Sequence, residues 1–145
     1  MTFEELDSKY ANGFDDAEIT GITVDYENRA VTFHLNLRRN SPGSPTAHEY
    51  ARATLRLARF YYLSVEPPDA DHLHYPSQSK ITVDGLGEDP TEFPPFAHLK
   101  EKLPVGAFCC RFYVHDWNSF IHVAAQNAEF FWSEDKFLSE DSIKK

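Results

Sequence analysis

A chain of 145 residues has the length of one domain, and its 41% hydrophobic and 14% aromatic content supplies a core, which excludes a disordered or fibrous polypeptide. The formal net charge of −9 disfavours attraction to nucleic-acid phosphates or anionic membranes and suits a basic protein partner. No apolar run approaches the roughly 20 residues of a spanning helix, and Met1-Thr2-Phe3-Glu4-Glu5 lacks the basic-then-apolar order of a leader, so a soluble, cytoplasmic protein is expected.

Thr2-Phe3-Glu4-Glu5 has the spacing of a capping box, and Phe3, Leu6 and Tyr10 follow at helical intervals until Asn12-Gly13, which predicts a short N-terminal helix. Ile19 to Tyr26 reads as a strand, Glu27-Asn28-Arg29 as a turn, and Val31, Phe33, Leu35 and Leu37 alternate with polar residues in the cleanest period of two in the chain. These two segments should form a hairpin, followed by loop chemistry at Asn40-Ser41-Pro42-Gly43-Ser44-Pro45. Tyr50 to Val65 alternates until Arg59, where a bulge or tight turn is expected. Residues 49–62 are also rich in helix formers, so a helix competes there with the extended reading.

Glu66-Pro67-Pro68 ends that element, and a polar excursion through Asp69 to Ser79 leads to a short strand at Ile81 and Val83. Pro95 to Lys102 is predicted as a second short helix. From Ala107 the pattern suggests three antiparallel strands, turning first at His115-Asp116-Trp117-Asn118 and then at Gln126-Asn127. The charged residues 133–145 read as a frayed or loosely docked tail of a single domain spanning 1–145. The fold class expected is α+β, mainly antiparallel β, with a twisted sheet forming a sandwich or partly closed barrel and only two short helices. A free edge strand in such a sheet could pair two copies into a homodimer.

Chemistry-bearing motifs are sparse. Adjacent Cys109 and Cys110 point to opposite faces of a strand, which disfavours a disulfide between them. Gly85-Leu86-Gly87 lacks the third glycine of a phosphate-cradling loop, and no cofactor or catalytic residue is assigned. Asp71, His72 and His74 could ligate a metal if the segment were extended, against a solvated loop as the alternative. His34 and His122 read as surface or packed histidines rather than ligands. Asp15, Asp16 and Glu18 bring three carboxylates to the start of the first strand, where they could split acid and base roles or serve turn and capping chemistry. Residues 31–65 carry Arg38, Arg39, Arg52, Arg56 and Arg59 against a single glutamate, which could form an arginine patch or pair with the surplus acids.

The segment Gly13-Phe14-Asp15-Asp16-Ala17-Glu18-Ile19, leading into a hairpin, resembles the F-H-D-A-E opening of small bacterial immunity proteins of polymorphic toxin systems and of related uncharacterised bacterial domains. Asp15 stands where that pattern has histidine, so a role requiring an imidazole does not carry over. The resemblance implies a bacterial antidote that binds and blocks a toxin domain without catalysis of its own. The interface would use Asp15, Asp16, Glu18 and Asp116, with Trp117 either an exposed aromatic anchor or folded back over the sheet. The competing reading is a small-molecule binding barrel or sandwich with an aromatic cavity from Phe33, Tyr61, Phe112 and Trp132, and a metal-dependent hydrolase is a third.

Overall fold

A computed structural model describes residues 2–7, 14, 17–38, 43, 45, 49–73, 79–84 and 94–133. The period of two is realised as antiparallel strands β1 (Ala17–Asp25), β2 (Ala30–Arg38), β3 (Tyr50–Val65), β4 (Ser79–Asp84), β5 (Phe108–Val114) and β6 (Ser119–Trp132). Their order is β1-β2-β3-β6-β5-β4, and β1 pairs with β4 as well as with β2, so the sheet closes into a barrel rather than a sandwich. The closing seam is short, running from Ala17 opposite Ile81 to Ile19 opposite Ser79. Closure leaves no described strand unpaired along its whole length; open edge remains on β1 beyond Ile19, on β3 beyond Ala58 and at the start of β5.

Alternation decides what fills the barrel. Val31, Phe33, Leu35, Leu55, Leu57, Phe112 and Val123 are buried in one core cluster. Six strands enclose less space than the eight-stranded barrels whose side chains just fill their interiors. Phe33 and Phe112 accordingly lie with ring centroids 5.3 Å apart at the centre. The expected aromatic ligand cavity is therefore corrected: Phe33 and Phe112 are core, Tyr61 bonds to Gln126, and Trp132 packs edge-on against Phe130.

The five-residue helix α1 (Phe3–Asp7) carries a reciprocal cap, with Thr2 N–H donating to Glu5 Oε2 at 3.0 Å and Glu5 N–H to Thr2 Oγ1 at 3.2 Å. Its Phe3 stacks on Phe14 and meets Phe112 edge-on, bringing α1 into the main core. The second helix expected over 95–102 is only a 3-10 turn, Phe96–Leu99, because Pro104 and the prolines at 94 and 95 leave little chain for helix. This segment covers the outer face of the barrel: Phe96 packs with outward-facing Cys109 and Ala124, flanked by Tyr62, Leu99 and Leu103.

Of residues 49–62, all from Tyr50 onward settle as strand, since every second side chain from Ala51 to Leu57 is buried between β2 and β6. The break falls at Arg59, which takes a left-handed φ of 54° beside a register shift between Phe60 and Tyr62. The turn expected at Gln126-Asn127 does not occur. β6 continues to Trp132, and there Ala125 and Ala128 both face the core, so the break in alternation is an irregularity within one strand. Residues 134–145, Asn12-Gly13 and Gly85-Leu86-Gly87 lie outside the described residues.

Candidate functional site

The turn between β5 and β6 is a 3-10 turn, His115–Trp117, ended by Asn118 in a left-handed conformation. It is clamped to the segment after β3. Asp69 N–H donates to the Trp117 carbonyl at 2.9 Å, and Asn118 Nδ2 donates to Asp69 Oδ2 at 3.3 Å. Asp69 also accepts from Asp71 N–H at 3.0 Å, capping a second 3-10 turn, Ala70–His72. The bonds from Asp71 N–H and from Asn118 hold the Asp69 carboxyl below its ordinary pKa, so it stays ionised near neutrality. Glu66, Asp69, Asp71 and Asp116 thus lie on two segments fastened together, beside Val65 and Leu73, which are 50% and 59% exposed.

Behind these segments is a hollow of about 70 Å³, bounded by Ile19, Ile22, Val65, Glu66, Val114, Trp117, Ser119 and Ile121. Its walls are apolar because the inward-facing ends of four strands meet there. Trp117 is half-buried and packed on the core rather than standing out as an exposed anchor, since its ring covers apolar surface that water would otherwise reach. Glu18 is likewise corrected: at 6% exposure it is buried, so it offers no carboxylate to a partner. Asp116 is half-buried on the same turn. Asp15 and Asp16 lie outside the described residues.

The expected metal ligands are arranged differently from an extended segment. Asp71 and His72 sit in the 3-10 turn, where His72 Nδ1 is 3.8 Å from Asp69 Oδ1, and His74 lies outside the described residues. Among the described residues, no three His, Cys, Asp or Glu side chains converge to hold a metal ion. The arginines do not act as one patch: Arg56 pairs with Glu129 at 3.0 Å, Arg38 lies over Tyr50, and Arg39 is outside the described residues.

A second hollow, of about 380 Å³, opens on the outer barrel face beyond Glu66. Ser64, His122 and Arg111 occupy adjacent register positions on β3, β6 and β5, so strand pairing sets them in one cross-strand row. Pro94, Pro95 and Phe120 supply apolar walls. The Arg111 guanidinium lies 4.7 Å from the Phe120 ring centroid, and Phe120 N–H donates to Glu66 Oε1 at 2.7 Å. His122 is packed, as expected, between Phe96 and Phe120. Burial lowers its pKa; the Glu66 carboxylate opposes that shift and Arg111 reinforces it, leaving a neutral imidazole near neutrality.

Neither hollow was legible in the chain, because Val65, Glu66, Ser119 and Arg111 come from separate strands. The nearest signals were the acid-rich run after Pro67-Pro68 and the polar outward face of β5. Comparison with protein-family models, curated proteins and solved structures finds no match. Among the described residues, no helix is long and apolar enough to cross a membrane.

Proposed function

We propose that this chain is a non-enzymatic protein-binding module that engages a basic partner at the barrel end around Trp117, neutralising a toxin domain in the manner of an immunity protein. The observation that carries the reading is the placing of exposed Val65 and Leu73 among the carboxylates of Glu66, Asp69, Asp71 and Asp116. Apolar contact area ringed by one sign of charge is the composition of a steered protein interface. The bond from Asp69 N–H to the Trp117 carbonyl holds the two segments together before a partner arrives, which reduces the ordering cost of binding.

The test is capture from lysate of the source organism at low and high salt, with the wild-type chain and an Asp71→Lys, Asp116→Lys variant side by side. A basic protein retained near one to one by the wild type, weakened by salt and lost from the variant, is the expected result. Retention indifferent to salt and charge reversal, or none at all, would overturn the reading.

The outer hollow favours a second reading, small-ligand binding. Its roughly 380 Å³ and its convergence of Ser64, Glu66, Arg111 and His122 on apolar walls have the size and chemistry of a small-molecule cleft. A thermal-shift screen of small polar metabolites, repeated on His122→Phe, tests it. Stabilisation of the wild type alone supports this reading, and a screen without a wild-type shift counts against it.

A further inference from the structure

We infer that the hollow beneath Trp117 receives one aliphatic side chain of the partner, about the size of leucine, carried between lysine or arginine residues. This inference rests on the protein-binding reading above. Ile19, Ile22, Val114 and Ile121 give the hollow an apolar lining, and Val65 is half exposed at its rim. An apolar cavity of about 150 Å³ accommodates benzene. The ≈70 Å³ here is about half that, which suits a branched aliphatic group better than an aromatic ring.

Charge selects what flanks that group. Glu66 borders the hollow with one carboxylate oxygen fixed by Phe120 N–H, and Asp69 is held ionised on the segment bonded to Trp117. Cationic neighbours of the inserted side chain would meet these carboxylates as it enters. A second copy of this chain is the wrong occupant, since it would bring a further net charge of −9 and the same acidic surface against this one.

The experiment titrates the ¹⁵N-labelled full chain with the peptide Ac-Lys-Lys-Leu-Lys-Lys-NH2 and with its Leu→Ala and Leu→Trp counterparts. The two indole N–H signals are followed, Trp117 at the hollow and Trp132 as a control on the opposite side of the core. The leucine peptide should shift the Trp117 signal and leave Trp132 in place. Its affinity should exceed that of the alanine peptide by about tenfold or more, the effect of burying roughly two methylene-sized groups. Ser119→Leu, which fills the hollow from within, should abolish that difference while preserving salt-sensitive binding of both peptides. Val65→Trp, which covers the rim from an exposed position, provides the same test if the buried substitution prevents folding. Equal, salt-sensitive binding of the leucine and alanine peptides would overturn the side-chain anchor and leave the acidic-face reading standing. Tighter binding of the tryptophan peptide would overturn the size limit. No Trp117 shift with any peptide would overturn the inference, while the lysate capture with charge reversal decides the broader function separately.

Discussion

The Tyr61 hydroxyl donates to Gln126 Oε1 at 2.8 Å, joining the irregular point of β3 to the irregular point of β6. Gln126 Nε2 in turn donates to the Val105 carbonyl, and Gly106, with φ of 87°, passes so close to Gln126 that a Cβ there would stand 3.0 Å from Nε2. The two longest strands therefore bend at one place, and a glutamine ties that bend to the segment covering the barrel. Tyr61→Phe should lower stability by about 1 kcal/mol, the net value of one such bond, measured as a reduced urea midpoint with unchanged slope.

Two arginines with left-handed backbones should respond oppositely to glycine. Arg59, exposed at φ 54°, has only the backbone strain to relieve, so Arg59→Gly should be neutral or stabilising by up to about 1 kcal/mol. Arg29, at φ 52°, donates from Nη2 to the Phe60 carbonyl and lies over the Tyr61 ring. Arg29→Gly should lose about 1 kcal/mol net despite the relieved backbone, and paired denaturation curves separate the two cases.

His122 makes stability depend on pH. Its folded pKa lies below the unfolded value near 6.5, so the unfolded chain binds the proton more readily as pH falls. The neutral form's contribution is fully present above about pH 6.5 and is lost as pH falls through the folded pKa. His122→Phe should flatten the unfolding free energy across that acidic window relative to wild type. An unchanged pH profile would remove His122 as its source.

The cover over the outer face should depend on one ring. Phe96 is 1% exposed and contacts Tyr62 and His122 edge-on. Phe96→Ala should cost about 3–5 kcal/mol if the vacated space stays open, and less if the cover lifts away. Hydrogen exchange distinguishes these outcomes: faster exchange across 96–103 with β1 and β2 unchanged is expected.

The thiols should be silent in the folded state. Cys109 and Cys110 form no disulfide and are buried on opposite faces of β5, and burial, with a smaller effect of Cys109, pushes the Cys110 pKa far above its ordinary value. A thiol reagent at pH 8 should label neither residue until denaturant is added, and then both.

Much of the barrel could be read from local pattern, because alternation reports directly which face of a strand meets apolar neighbours. Val31 to Leu37 and Phe108 to Val114 show this, as does the break at Arg59. The failure at Gln126-Asn127 is instructive. A hairpin turn and an added residue within a strand reverse alternation in the same way, and only the matching irregularity in β3 decides between them. The candidate site was less legible for a related reason. Asp116 and Trp117 could be placed in a connecting turn, yet burial of Glu18 and the pairing of that turn with Asp69 depend on strands distant in the chain.

The sequence by itself determined an acidic, aromatic-rich chain whose strands alternate toward one core, because composition and side-chain period are local properties. Only the tertiary structure decided that the sheet closes through β1 and β4, that Phe33 and Phe112 fill its centre, and that the hollows lie beneath Trp117 and beside His122. Those features depend on register and on contacts between residues far apart along the chain, where backbone pairing rather than local preference fixes which side chains meet.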